Sequence, residues 1–477
     1  MNTPPKNVIY ISIDCGRRDH FSCYGYPDTT TPNIDRFSKK STLFRNAFTQ
    51  APSTLPSHST LFTSTYPSVH EAEISTGKAL PKTIPTIASI LQHAGYATAS
   101  FNGGAQLDPS WKLDRGFDTY QTGKSLVNNI ELAIDWVKDN KSTQFFLFLH
   151  GYDVHKRLKL MGPRFLAQFD NAEQAEKERA ALNERLKKNP TASEEDKRKY
   201  LLLYDDNLEL VDTALGHLFT FLDEIDLSEN TIIVIFADHG EELGERSSVA
   251  LHSHTLYDEL LRVPLLLKIP GTEQKEIDNP VGLIDVTPTI LETLGIDIPQ
   301  IMQGKSVLPI MAGKETQDRT IFSEFHYPHF EKMCVRTRHH KLIETLHTNY
   351  GEAMLKNKAF KGSQYSKIQK IKEFSNRPAY LLANAIYFIL KRIGLCSLWI
   401  RLFGLFKTYE FYDLKIDPKE ETNIYYDDPA KASSHLKLLE KLCKINQQRR
   451  DVKDSTPRIV QMSEKLKKRL SELGYIQ

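Results

Sequence analysis

Asp14, Thr54 and the pair Asp238-His239 lie in three segments far apart in sequence, and together they offer two carboxylates, a hydroxyl and an imidazole. Carboxylate oxygens and an imidazole nitrogen can hold a divalent metal ion, and an ion beside a hydroxyl favours the alkoxide, a nucleophile for ester chemistry. Each residue also has a plainer reading. Asp14 can cap a following helix, and Thr54 can cap the helix that Pro56 opens. Position favours chemistry. Asp14 closes the apolar, β-branched run Val8 to Ile13, and Asp238 follows the apolar run Thr231 to Phe236. Open α/β sheets take their ligands beyond the carboxyl ends of such strands.

The elements that must position these residues can be read from periodicity. Short apolar runs predict strands at Val8–Ile13, Ala97–Phe101, Phe145–Leu149, Thr231–Phe236 and Val263–Ile269. Helices are expected over Ile34–Phe48, Leu55–Thr63, Thr83–Gly95, Leu201–Ile225 and Val286–Leu294. Strands alternating with helices predict a doubly wound, mostly parallel α/β sheet. Thr320–Glu344 and Tyr409–Leu414 read as short antiparallel strands of a smaller C-terminal α+β domain. The expected division is a catalytic domain over 1–315 and a C-terminal domain over 316–477. Two insertions interrupt it: a charged, solvated helical stretch at about 168–199, and an apolar, basic stretch at about 346–407.

Composition excludes some partners. There are 62 Lys and Arg against 60 Asp and Glu, a net charge of +2, which gives a nucleic-acid footprint no support. Five cysteines without a CxxC spacing read as free thiols of a reducing compartment. The first apolar run begins at Val8 and has no small-residue cleavage site, so it reads as a buried strand rather than a signal peptide. No run reaches the roughly 18 apolar residues that span a bilayer. A cytoplasmic location is the expectation.

The segments Asn7-Val8-Ile9-Tyr10-Ile11, Asp14-Cys15-Gly16-Arg17-Arg18-Asp19-His20, Thr54-Leu55-Pro56-Ser57-His58, Asp238-His239-Gly240 and Tyr412-Asp413-Leu414 resemble the sulfatase branch of the alkaline phosphatase superfamily. The resemblance runs nearly end to end and implies that family's fold. It implies one divalent ion held by Asp14, Thr54, Asp238 and His239. One position departs from it. Sulfatases carry Cys or Ser, followed by x-Pro-x-Arg, where Thr54 and His58 stand, because that residue is oxidised to formylglycine. Threonine cannot follow this route. The set looks more like the single-metal site of lipoteichoic acid synthases and phosphoethanolamine transferases, which use a threonine nucleophile with manganese or zinc; calcium and magnesium remain alternatives. The same resemblance points to Arg17 for developing negative charge, and to His155, His252 and His254 as donors to an ester's oxygens or as a general acid. Cys15 stands where many relatives have a second carboxylate; an inert buried thiol is its plainest reading, and a metal ligand is the alternative.

These features imply a metal-dependent phosphoester hydrolase or phospho-group transferase with Thr54 as nucleophile. The alternatives are a sulfuric ester hydrolase working without formylglycine, and a non-catalytic binding protein on the same scaffold. The substrate would be a phosphate or sulfate ester, with a lipid- or glycan-linked form in view. That last reading comes from residues 379–406, where two apolar arms too short to span carry Lys391, Arg392 and Arg401 beside Tyr387, Phe388, Trp399 and Phe403. Such a mixture suits a bilayer headgroup region on the inner membrane face. A lid and an ordinary core element are the competing readings.

Overall fold

The computed structural model describes residues 7–155, 158, 160–246, 248–327, 330–348, 405–452 and 459–473. Eight strands form the central sheet: β1 (Asn7–Ile13), β2 (Thr42–Phe44), β3 (Ala97–Asn102), β4 (Thr119–Thr122), β5 (Phe145–Gly151), β6 (Thr231–Phe236), β7 (Leu265–Lys268) and β8 (Lys275–Ile277). Their order is β8-β2-β7-β6-β1-β5-β3-β4. All neighbours pair in parallel except β7, which runs antiparallel to both β6 and β2.

The unbroken apolar runs have a direct cause: both faces of this sheet are covered. Val8, Tyr10, Phe146, Phe148, Ile232 and Val234 pack into one core. Ile9, Ile11, Ile13, Phe145, Leu147, Ile233 and Ile235 pack into another on the opposite face. Alternation along each strand therefore builds two cores from three adjacent strands. Tyr10 meets Phe146 edge-on at 5.3 Å between ring centroids.

Several expected elements are redrawn. Ile34–Phe48 is not one helix. The helix is Pro32–Ser38, followed by β2 and the short strand Ala47–Phe48. Lys39-Lys40-Ser41-Thr42 offers no apolar residue to continue a buried stripe. Val263–Ile269 is split: Arg262–Val263 pairs with Ala47–Phe48 and β7 joins the main sheet. Pro264 between them has no N–H for a ladder. The long helix is Glu194–Glu224, starting well before Leu201, and the Ser193 side chain caps it by accepting from the Asp196 N–H. Glu194, Glu195 and Asp196 in its first turn suit the positive end of the helix dipole. The charged stretch is not solvated all round, because its helix Ala172–Lys188 buries Ala175, Leu182 and Leu186 against the core.

A second, antiparallel sheet follows, of Ile321–Tyr327, Phe330–Arg336, His340–Thr348 and Leu405–Asp413 in that order. One face carries the helix Pro429–Val452 through Ala432 and Leu439. The other packs Ile321, Phe325, Ile343 and Tyr412 against Phe48, Leu256 and Leu261 of the first unit. Most of the 346–407 insertion, including 379–404, lies outside the described residues. Among the described residues, no helix is long and apolar enough to cross a membrane.

Candidate active site

Three neighbouring strands, β6, β1 and β5, end side by side. Register places Ser12 beside both His150 and Phe236, so Asp14 and Asp238 each emerge just beyond the same edge. Thr54 comes from a different element, the helix Thr54–Thr63. The cap position of that helix is Ser53, which makes no side-chain cap bond, and Thr54 is the first helical residue. The capping reading of Thr54 is therefore replaced: its hydroxyl donates to Asp14 Oδ2 at 3.1 Å and lies 3.4 Å from His239 Nε2. Pro56 falls in the first turn, where its missing N–H costs nothing.

Asp14, Thr54, Asp238 and His239 are all completely buried. Asp238 Oδ1 accepts from the backbone N–H groups of Cys15, at 3.3 Å, and of His239, at 2.9 Å. Asp238 Oδ2 lies 3.5 Å from His239 Nε2 and 3.7 Å from His58 Nδ1. His239 Nδ1 lies 2.8 Å from the Gly240 carbonyl oxygen, which makes that nitrogen the donor and leaves Nε2 facing the carboxylates. Gly240 is required here, since a Cβ would fall 2.0 Å from the Glu259 carbonyl oxygen.

These residues fit a metal ion. Asp14 Oδ1 and Asp238 Oδ2 are buried without a hydrogen-bond partner among the described residues, and leaving such atoms unmatched is costly. Burial pushes the Asp14 carboxyl above its usual range, and burial together with Asp14 does the same to Asp238. Burial alone would lower His239, but Asp238 and Asp14 outweigh it and draw its pKa upward. The common cause is concentrated negative charge in a dry place, which a divalent cation would offset. Asp14, Thr54 and Asp238 supply oxygen, and His239 supplies nitrogen.

Two histidines that sequence reasoning did not assign complete the surround. His150 Nε2 sits 3.1 Å from Asp14 Oδ2. His58 lies between Ser12 Oγ, 2.9 Å from its Nε2, and the Thr54 carbonyl oxygen, 2.8 Å from its Nδ1. Burial lowers both imidazoles to about 4, so both are neutral and act as orienting partners. Ser57 Oγ donates to the Asp238 carbonyl oxygen at 2.7 Å and ties the helix to the strand.

The other expected residues fall in three places. His155 and His252 gather beside Cys15, their rings 4.9 Å apart, and His252 lies 4.8 Å from the His239 ring. His254 is further out and partly exposed, with Nε2 2.9 Å from Glu242 Oε1. Arg17 is engaged elsewhere. Its guanidinium donates to both Asp19 oxygens, to Glu245 and to the Glu241 carbonyl, bracing the loop after β1 against the segment after β6.

The sulfatase family model matches residues 6–296, and a model described as the C-terminal part of N-sulphoglucosamine sulphohydrolase matches 251–359. An ulvan-active sulfatase of Formosa agariphila is 26% identical over 392 residues, covering 71% of this chain and 73% of its own. Among solved structures, BT4656 in complex with its substrate D-glucosamine-2-N,6-O-disulfate superposes with a TM-score of 0.69 at 18% identity, over 95% of this chain and 99% of that one. The phosphonate monoester hydrolase of Agrobacterium radiobacter gives 0.65 at 18% identity, over 94% and 96%. With the strand order, the buried carboxylates beyond β1 and β6 and a family model over more than half of the chain, this protein belongs to the sulfatase family of ester hydrolases in the alkaline phosphatase superfamily.

Proposed function

We propose that this chain is a metal-dependent phosphoester hydrolase or phospho-group transferase in which Thr54 is the nucleophile. Sulfatase-family enzymes generally hold a divalent ion, and Asp14, Thr54, Asp238 and His239 would hold it here. The nitrogen ligand favours manganese or zinc over calcium. When bound, the ion supplies a Lewis acid that lowers the hydroxyl pKa and offsets phosphoryl charge.

The observation that carries the reading is the Thr54 hydroxyl, 3.1 Å from Asp14 Oδ2 at the first turn of a buried helix. The proton leaves along that hydrogen bond to Asp14 as Thr54 Oγ1 attacks phosphorus. The bond from phosphorus to the leaving oxygen breaks in line, and His252 or His254 protonates that oxygen. The positive end of helix Thr54–Thr63 favours the anionic phosphothreonine. The histidine left neutral then takes the proton of a water or second alcohol as its oxygen attacks phosphorus, the bond from phosphorus to Thr54 Oγ1 breaks, and Asp14 returns its proton to Oγ1. Arg17, braced as described, positions the loop that carries Asp14. The test is intact-mass measurement after rapid quenching from an aryl phosphodiester. A phosphoryl-ester adduct that maps to Thr54 supports the reading, and turnover with no adduct on any variant slowed in release sinks it.

Sulfuric ester hydrolysis without formylglycine is the second reading. Family membership and the ulvan-active relative favour it, and the threonine opposes it. Parallel assays of an aryl sulfate and an aryl phosphodiester with the same leaving group decide between the two. For the substrate's carrier, we propose a lipid- or glycan-linked ester met at the cytoplasmic membrane face through residues 379–406. Binding to anionic vesicles at low salt, lost when Phe388, Trp399 and Phe403 become Ser, tests this.

A further inference from the structure

Beside the Thr54 centre stands a second group of ligand-type side chains. Cys15 Sγ lies 3.8 Å from His252 Nδ1, and His252 Nδ1 lies 3.4 Å from Glu241 Oε1. His155 joins them, with ligand atoms of Cys15, His155 and His252 all within 4.8 Å of one another and all three residues buried. We propose that Cys15, His155, His252 and Glu241 form a second metal site, for a zinc-like divalent ion, adjacent to the Thr54 centre.

Two edges of such a site, Cys15 to His252 and His252 to Glu241, are already set near the spacing an ion needs. Zinc bonds of about 2.3 Å to sulfur and about 2.0–2.1 Å to nitrogen and oxygen give tetrahedral edges of about 3.6 Å for sulfur to nitrogen and about 3.3 Å for nitrogen to oxygen. The separations of 3.8 and 3.4 Å are already close to these edges. The donor set is also selective: one thiolate and two imidazoles suit a borderline-soft ion, whereas the Thr54 centre offers mostly oxygen.

The surroundings hold the ligands in place. Cys15 has φ 59°, an unusual conformation for a residue with a Cβ. Its N–H donates to Asp238 Oδ1 and its carbonyl accepts from the Tyr204 hydroxyl at 2.7 Å. This turn presents Sγ between His239 and His252. The Tyr200 hydroxyl donates to Glu241 Oε2, and the Arg17 guanidinium holds the Glu241 carbonyl at 2.7 Å. Ligands steadied by outer hydrogen bonds are what metal sites need. With His252 committed to an ion, His254 becomes the imidazole of this segment that can protonate a leaving group. The ion would supply a second positive charge beside the Thr54 centre.

Cobalt is the probe, because thiolate ligation gives it a charge-transfer band that oxygen and nitrogen ligands do not. Metal-free, reduced protein titrated with Co2+ is expected to bind about two equivalents, one of them with the thiolate band. Cys15→Ser should abolish the band, and His155→Ala should weaken the band-bearing site at least about tenfold, while the other equivalent remains. Asp238→Asn should do the reverse, removing the silent equivalent and sparing the band. Circular dichroism confirms folding, and His155→Ala serves if Cys15→Ser does not fold. One equivalent without a band overturns the proposal. So does one equivalent whose band vanishes in Asp238→Asn, since Cys15 would then belong to the Thr54 centre. These readouts do not depend on which ester is cleaved or on Thr54 being the nucleophile.

Discussion

At the residue scale, the Thr54 hydroxyl faces Asp14 and His239. Thr54→Ala should therefore lower turnover of an aryl phosphodiester by roughly 10³-fold or more, with the melting temperature and metal content nearly unchanged. Steady-state kinetics beside calorimetry and elemental analysis check this. His150 Nε2 meets Asp14 Oδ2, the oxygen that also accepts from Thr54. His150→Ala should lower metal affinity about 10–100-fold, measured by competition with a chelator, while excess metal restores turnover. Asp14, Thr54, Asp238 and His239 were legible because each follows or opens a recognisable run. His150 as a partner of Asp14 was not, because its place beside Ser12 depends on strand register, which no local stretch records. His58 did leave a signal: it stands four residues after Thr54 on the helix, the spacing at which Nδ1 reaches the Thr54 carbonyl.

At the element scale, the second sheet is tied to its neighbours by charges placed by pairing. His326 stands directly across from Glu331 in the hairpin and also meets Glu324 at 3.1 Å. Burial would lower this histidine, but the two carboxylates outweigh it and raise it from 6.5 to about 10. A raised histidine contributes stability that is fully present below about pH 6.5 and is lost as pH rises through about 10. His326→Gln should thus destabilise the protein near pH 6 and make little difference above pH 10, as urea denaturation at several pH values would report. Lys341 is fully buried, with Nζ 2.8 Å from Asp258 and 2.7 Å from Glu420. Lys341→Met leaves those carboxylates facing each other and should cost about 3–5 kcal/mol, eased by the pairing of Arg336 with Asp258. Strand existence was legible from apolar runs. The breaks at Pro264 and after Ser38 were missed, because a run read as one element served two sheets or ended where its buried stripe ended.

At the scale of the whole molecule, the Thr54 centre joins three segments far apart in sequence, those carrying Asp14, Thr54 and Asp238-His239, so an ion bound there should stabilise the fold as a unit. Chelation should lower the melting temperature, and metal at 100-fold above its Kd should restore about 2.7 kcal/mol, seen by scanning calorimetry at fixed protein concentration. The fold class followed from alternation of strands and helices. The order of the strands did not, because β1 pairs with β5 and β6 rather than with its neighbours in sequence. That central position sets a schedule for synthesis. Asn7 is 138 residues ahead of its contact with Phe145 and 224 ahead of its contact with Thr231. At 5–20 residues per second, β1 leaves the ribosome about 10–45 s before its second flank exists. Through that interval an apolar strand has an open edge, so nascent chains that stall short of β6 would be aggregation-prone clients for a holdase, and no part of the catalytic centre could be in use before the sheet closes.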